Sequence, residues 1–472
     1  MSRFLGPDFL LETPTARHLF HEVAKPLPIV DFHNHLSPQD IAQDRHWDNL
    51  GELWLAHDHY KWRLMRWAGV PESHVTGPAD YRARYDAFAR VMPRMVGNPV
   101  HHWSHLELWR HFGLEGLVLN EASAARAWDA AGERLAEPGY GARGLLAQMK
   151  VVHVATTDDP CDTLEHHAAF AAEPYAGLRM VPTFRPDPAL YPEDAGFGAW
   201  LERLEGASGQ AITGWDDLLG ALMARLDHFC AHGARAADHG LNRMELARPA
   251  SPAMLSRLLD RARRGQPLTE DEAASFRLSL LLELGRAYAA RNMVMQLHIG
   301  PLRNNRSRLL AGVGRDAGGD SLRDAPLAEA LNAFLDHLDR DDALPRTILY
   351  ALDPGKNPVI MTTAGNFQDG SIAGKVQPGT AWWFNDQLDG METQMRMLAQ
   401  MGLISTFLGM LTDSRSFLSF PRHEYFRRLL CRMIGDWTEK GHLPPEPELL
   451  EGLVRDICYR NAAGWFEPEG GA

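Results

Sequence analysis

The sequence predicts an α/β fold, a TIM-like (β/α)8 barrel with a long helical insertion after its first strand. Short runs rich in Val, Ile and Leu alternate with helical patterns along the chain, and most of these runs are continuously apolar. Continuous apolar runs are typical of parallel strands that are buried on both faces. A length of 472 residues is sufficient for one large barrel with insertions.

Eight strands are predicted, and most of them end in a cluster of polar residues. They lie within 28–32, 150–159, 178–187, 233–240, 292–300, 346–354, 375–386 and 403–414. Amphipathic patterns such as 216–233 and 326–340 separate several of these runs. This repeated alternation predicts a single barrel domain over residues 1–472.

The segment between the first two strands, residues 36–149, is far longer than an ordinary connection between a strand and a helix. Its apolar residues recur at helical spacing, for example Leu50, Leu53 and Trp54, and 101–113 is rich in histidine and aromatic residues. We therefore expect a helical insertion that covers the active-site mouth of the barrel.

Composition excludes several classes of function. Lys plus Arg is 48 and Asp plus Glu is 61, and this net charge of −13 disfavours nucleic acid as a partner. No apolar run approaches the roughly 18 residues of a membrane span. The first 20 residues lack the basic and apolar regions of a secretion signal. With four scattered cysteines, we expect reduced thiols and a cytoplasmic location. A homo-oligomer is a separate expectation.

Polar and titratable residues follow several predicted strands, at the face of a barrel where active sites lie. The first strand ends in Asp31-Phe32-His33-Asn34-His35. Alternate residues of an extended segment point to the same side, so His33 and His35 can bind one metal ion. The other predicted strand ends contribute Arg185, Asp238, His298 with the nearby Arg303, and Asp413 with Arg415.

Each of these features also has an ordinary structural interpretation. An HxH pair can be incidental in a chain with 22 histidines. Asp413 can cap the helix predicted near Pro421, and Tyr60 falls on the apolar stripe of its own helix. The joint occurrence of such residues at successive strand ends nevertheless favours a functional site.

An HxH pair after the first strand, a His after the fifth and an Asp after the eighth resemble the amidohydrolase superfamily. The chain has no lysine between 151 and 355, so it lacks the residue that is carboxylated to bridge two metal ions in many members. The sixth strand ends in Asp353-Pro354, where many members have histidine. Both departures argue against a binuclear hydrolase.

The fuller pattern resembles the uronate isomerase (glucuronate isomerase) family, a peripheral branch of that superfamily. The resemblance runs from about residue 5 to 468, and its longest motifs are QLHIGPLRNN (296–305) and LTDSRSFLSFPRHEYFRR (411–428). The other matching segments are DFHNHL (31–36), HDHYKWRLMR (57–66), TTDDP (156–160), VPTFRPD (181–187), ALDPGKNP (351–358), QPGTAWWFNDQ (377–387) and NAAGWF (461–466).

The resemblance implies an aldose–ketose isomerase that interconverts D-glucuronate with D-fructuronate and D-galacturonate with D-tagaturonate. The reaction moves a proton between C2 and C1 through an enediol. His33, His35 and Asp413, with His298 as a further ligand, are expected to hold one divalent metal ion. Zinc suits these donors, and manganese, cobalt and iron remain open.

The negative substrate explains the arginines near the strand ends. Arg185, Arg303 and Arg415 can each recognise a carboxylate or hydroxyl groups through a planar guanidinium. We assign the C6 carboxylate to Arg185 with help from His59, and the reacting end to Arg415 beside Asp413. Which arginine holds C6 stays open.

Four further assignments concern proton transfer and packing against the sugar. Asp413 is a candidate base for ring opening, and Tyr60 can carry the C2 proton as a tyrosinate if nearby cations lower its pKa. Trp382 or Trp383 can stack on the sugar, although core packing explains either residue equally well. The family pattern favours a role in the site for Asp238.

Two other functions stay open at this point. A mononuclear metal-dependent hydrolase of the same superfamily has the same barrel and the same HxH pair. A non-catalytic uronate-binding protein would keep the arginines but would not need His33 and Asp413.

Overall fold

Parallel strands enclosed by helices form the fold in the computed structural model, which describes residues 4–467. The strands are β1 (Ile29–Asp31), β2 (Val151–Ala155), β3 (Arg179–Val181), β4 (Ala236–Leu241), β5 (Val294–Ile299), β6 (Pro301–Leu302), β7 (Ser321–Leu322), β8 (Thr347–Ala351) and β9 (Val376–Pro378). One parallel sheet has the order β1-β2-β3 and a second has the order β4-β5-β8-β9.

Phe184, just after β3, joins the two sheets. It forms isolated parallel bridges with Asp158 beyond β2 and with Ala237 in β4. Its backbone N donates to Ala236 O at 3.2 Å, and Asp238 N donates to Phe184 O at 3.0 Å. The third strand therefore continues the curvature of the barrel past its regular ladder.

The prediction of a regular eighth strand over 403–414 is wrong. In the described chain this segment contains a 3-10 turn at Ile404–Thr406 and then runs irregularly, because Gly409 and Asp413 have positive φ angles of 76° and 45°. Two backbone hydrogen bonds still join its end to the segment after β1, from Asp413 N to His33 O and from His35 N to Ser414 O. The predicted barrel is confirmed, with an irregular eighth element.

The other seven predicted strands form at the expected places, with shorter ladders. Strand β4 runs on to Leu241, so Asp238 lies inside a strand and not at its end. The short antiparallel pair of β6 and β7, which encloses residues 303–320, was not predicted.

Seven α-helices occupy the described segment between β1 and β2. They are Pro38–Ala42, Leu50–Leu55, His59–Trp67, Tyr81–Val91, Pro99–Phe112, Ala124–Leu135 and Ala142–Gln148. The helix His59–Trp67 is capped at its N-terminus by Asp58, whose side chain accepts hydrogen bonds from the backbone N of Tyr60 and Lys61. Its neighbours bury Trp54 and Phe88 in one cluster with Leu429 of the C-terminal part of the chain.

The remaining α-helices surround the strands. They are Pro14–His18, Glu165–Ala172, Asp187–Leu190, Phe197–Ser208, Trp215–Ala231, Pro252–Arg263, Glu270–Ala290, Ser307–Val313, Ala328–Asp339, Asn357–Asn366, Leu388–Met401, Pro421–Glu439, Pro447–Arg455 and Asn461–Phe466. Across residues 4–467, none of the helices is both long enough and apolar enough to cross a bilayer.

Candidate active site

A cavity of about 580 Å³ opens at the carboxyl ends of the parallel strands. Its size is within the range that small-molecule sites usually have. The predicted residues that line it are His33, His35, His59, Arg185, His298, Arg303, Trp382, Trp383, Asp413 and Arg415. Tyr60 and Asp238, the other two predicted residues, are not part of this lining.

His33, His35 and Asp413 meet at one side of the cavity. Asp413 Oδ1 is 3.2 Å from His33 Nε2 and 3.0 Å from His35 Nε2. Three ligands at the usual distance from a zinc ion would lie roughly 3.0–3.5 Å from one another. The spacing and the nitrogen and oxygen donors of this group therefore fit a divalent metal ion.

Asp413 is held in an unusual backbone conformation. Its φ of 45° is in the left-handed region, which non-glycine residues adopt mainly where the surroundings enforce it. Trp382 Nε1 donates to Asp413 Oδ2 at 2.6 Å, and the preceding Thr412 donates to the buried Asp31 through both N and Oγ1 at 2.7 Å. Within the described residues no side chain caps the helix Pro421–Glu439, so Asp413 is not its cap.

His298 belongs to a separate group with Asp238 and His33. Its Nδ1 donates to Asp238 Oδ1 at 2.6 Å, and its Nε2 has no partner in the part of the chain that the structure describes. Burial would raise the pKa of Asp238, but Arg185, His298 and His33 hold this pKa well below its usual range. His298 as a fourth ligand beside His35 and Asp413 stays a prediction.

Each of the three predicted arginines of the cavity is paired with an acidic side chain. Arg185 Nε donates to Asp187 Oδ2 at 2.8 Å. Arg415 Nη2 and Arg303 Nη1 donate to the two oxygens of Asp316, at 3.2 and 3.4 Å. Asp187 lies inside a motif quoted from the sequence, whereas Asp316 lies between motifs, and sequence reasoning singled out neither.

The requirement for a lowered Tyr60 pKa is not met. The Tyr60 hydroxyl donates to Asp386 Oδ2 at 2.6 Å, and burial together with the charge of Asp386 raises the pKa of Tyr60 well above 10. The guanidinium of Arg422 lies 5.3 Å from the ring centre but does not offset these effects. Tyr60 is therefore a neutral phenol, and sequence reasoning missed its partner Asp386.

The two tryptophans have different surroundings although both are 6% exposed. Trp382 holds Asp413 through its indole N–H, a contact that the sequence did not predict. Trp383 stacks on Phe384 at 4.7 Å and meets His59 edge-on at 5.0 Å. Burial and then the positive charge of Arg415 lower the pKa of His59 to about 4, so its imidazole is neutral.

Comparison with known proteins decides the family. The sequence model of the family described as glucuronate isomerase matches residues 1–466. The chain belongs to the glucuronate isomerase family. Its curated relatives include the uronate isomerase of a Marinomonas species, 50% identical over 466 residues, which are 99% of this chain and 100% of that protein.

Solved structures of the glucuronate isomerase family have the same fold. A crystal structure of uronate isomerase from Thermotoga maritima superposes with a TM-score of 0.92 at 37% identity, covering 98% of this chain and 100% of that one. Glucuronate isomerase from Caulobacter crescentus gives a TM-score of 0.90 at 26% identity, over 99% and 98% of the two chains. The predicted family, the barrel and the isomerase class are thus confirmed, in preference to the hydrolase and the binding protein.

Proposed function

We propose that this member of the glucuronate isomerase family interconverts D-glucuronate with D-fructuronate and D-galacturonate with D-tagaturonate in the cavity at the strand ends. The observation that carries the proposal is that one cavity holds both a group fit for a metal ion and the guanidinium groups of Arg185, Arg303 and Arg415. An aldose–ketose isomerase acting on uronates needs a polarised carbonyl at one end and recognition of a carboxylate at the other.

His33, His35 and Asp413 would hold the metal ion, with zinc best suited to the donors and manganese, cobalt and iron as alternatives. When bound, the ion supplies a Lewis acid that polarises oxygen atoms of the substrate. His298 lines the same cavity with a free Nε2 in the described chain, and we assign it to substrate binding.

Asp413 is the group that we assign to proton transfer. It accepts the C2 proton while the electrons of that C–H bond form the C1–C2 double bond and the C1 carbonyl oxygen takes up a proton, which gives the enediol. Loss of the O2 proton then forms the C2 carbonyl, and C1 takes the proton back from Asp413. Tyr60 is less suited to this step, because its hydroxyl is a neutral donor committed to Asp386. Arg415, two residues from Asp413, can stabilise the negative charge that develops on the enediol oxygens.

We assign the C6 carboxylate of the substrate to Arg185, with Arg303 as the alternative. Arg185 keeps 20% of its side chain exposed while it contacts Asp187 and Asp238, and Arg303 is 32% exposed. Arg415 and Asp316 are among the charged groups that shift the pKa of His59. The charges that act on His59 therefore include those of Arg415 and its partner Asp316. A role for His59 in helping Arg185 to bind the C6 carboxylate stays a prediction.

The test is formation of the ketose from each uronate before and after removal of metal by a chelator. We expect activity with at least one uronate, loss of turnover on chelation, and recovery on adding zinc or manganese. No ketose from either substrate would overturn the function, and full turnover of metal-free protein would overturn the metal's role alone. Asp413→Asn, which keeps the side-chain shape, should show a severe loss that added metal does not restore.

The proposal includes three sequence predictions that concern the whole molecule. They are a cytoplasmic location, a homo-oligomeric state, and one barrel domain over 1–472 whose insertion 36–149 covers the mouth. His59, at the start of an insertion helix, lines the cavity and supports the last of these. Light scattering on the purified protein would test the oligomeric state.

A further inference from the structure

The segment 303–320, which connects β6 and β7, places a carboxylate between two arginines of the cavity. Asp316 Oδ2 accepts from Arg415 Nη2 at 3.2 Å, and Asp316 Oδ1 accepts from Arg303 Nη1 at 3.4 Å. One carboxylate thus pairs with two guanidinium groups, which is how the carboxylate of a bound sugar acid would itself be recognised.

Asp316 differs from the other acids that contact Arg185, Arg303 and Arg415. Its side chain is 50% exposed, compared with 20% for Asp187, 4% for Asp320 and 0% for Asp238. The other three are also held by backbone N–H groups or by a histidine. Asp187 accepts from Gly240 N at 3.1 Å, Asp320 accepts from Asn304 N at 2.7 Å, and Asp238 accepts from His298. Among the acids paired with these three arginines, Asp316 is therefore the one that an incoming anion can displace most easily.

The backbone around Asp316 is fixed by the insertion. Arg63 Nη1 donates to Gly318 O at 3.1 Å and to Asp320 O at 2.9 Å, and Arg66 Nη1 donates to Ala317 O. Displacement of the carboxylate therefore requires rotation of the Asp316 side chain and no opening of the loop.

We infer that Asp316 is a displaceable counter-ion that pairs with Arg303 and Arg415 in this structure and yields to the oxygen atoms of the bound sugar acid. This inference rests on the proposed function, because it assumes that a sugar acid binds in this cavity. Each binding event must break the two contacts of Asp316, so the residue lowers the affinity for anions. It thereby tunes the binding strength of the site for sugar acids.

Asp316→Asn tests the inference, because Asn tolerates the left-handed φ of 55° at this position and carries no charge. The ligand is the hexonate made by reducing D-glucuronate at C1, which keeps the C6 carboxylate and cannot be isomerised. Isothermal titration calorimetry should give a Kd about two- to five-fold lower in the variant, the range that an exposed ion pair supports. KM for D-glucuronate should fall by a similar factor.

Asp194→Asn is the matched control, since Asp194 lines the same cavity and lies 3.6 Å from Arg315. It removes the same charge without touching Arg303 or Arg415, and we expect a smaller change in Kd. Asp316→Gly, which also accepts the backbone conformation, provides a second variant, and thermal melting checks that both are folded.

Weaker or unchanged hexonate binding in Asp316→Asn and Asp316→Gly would overturn the inference, because Asp316 would then position the arginines. An equal gain in Asp194→Asn would overturn it as well, since the effect would be one of total charge. If the wild-type protein forms no ketose from a uronate, the proposed function fails first, and that result is separate from either of these outcomes.

Discussion

Replacing Trp382 by Phe tests how Asp413 is held beside the two histidines. Trp382 Nε1 donates to Asp413 Oδ2 at 2.6 Å, and Asp413 Oδ1 faces His33 and His35. Phenylalanine keeps an aromatic face toward the cavity and removes the donor. A hydrogen bond to an ionised group contributes about 1.5–3 kcal/mol, which corresponds to about ten- to 150-fold in an equilibrium or a rate.

The assay compares kcat and KM for D-glucuronate with the affinity for zinc, measured by competition with a chelator. We expect Trp382→Phe to lower kcat and zinc affinity within that range while KM changes little, because Asp413 is assigned to the reacting end. If Trp382 only stacks on the sugar, the phenylalanine ring replaces it and all three quantities stay near those of the wild type.

Trp383→Phe is the matched control for this experiment. Trp383 lines the same cavity with the same exposure, and its ring contacts His59 and Phe384. We expect less than about a three-fold change in zinc affinity, since no hydrogen bond to an ionised group is removed. Equal losses in the two variants, or no loss in Trp382→Phe, would refute the assignment of Trp382 as the residue that positions Asp413.

Three further predictions follow from the buried polar contacts. Arg185→Met should raise KM by about ten- to a hundred-fold. It should also lower Tm, because the fully buried Asp238 loses a partner 2.9 Å away. An unchanged KM with both uronates would assign the C6 contact to Arg303. Tyr60→Phe should lower Tm, since Asp386 loses its hydrogen bond, while kcat falls by less than about ten-fold. A fall in kcat of the 10²–10⁴-fold typical of an acid–base group, at unchanged Tm, would instead assign the proton transfer to Tyr60. Burial raises the pKa of Asp158 to about 7 in the folded protein, so stability should fall by about 4 kcal/mol as pH rises from about 4 to about 7. Asp158→Asn should remove this dependence. If Tm changes between about pH 5 and about pH 8 by the same amount in the variant as in the wild type, the prediction is contradicted.

The parts of the site that were predictable are those that follow from local patterns. His33 and His35 are two residues apart just after β1, and both imidazoles contact Asp413, as this spacing predicts. The eighth strand was predicted wrongly from its apolar run, because Gly409 and Asp413 adopt positive φ angles that break an extended ladder. The pattern does not show such angles, since they depend on what the backbone contacts.

The sequence by itself determined the strand–helix alternation, the metal-ligand spacing and the family motifs, because hydrophobic period and residue spacing are properties of neighbouring residues. Only the tertiary structure decided which groups are partners. Asp413 is held by Trp382, Tyr60 by Asp386, and Arg415 by Asp316, and each pair comes from distant parts of the chain. Hydrogen bonds, ion pairs and burial act through space, so the neutral state of Tyr60 and the charge balance of the arginines appear only in the folded chain.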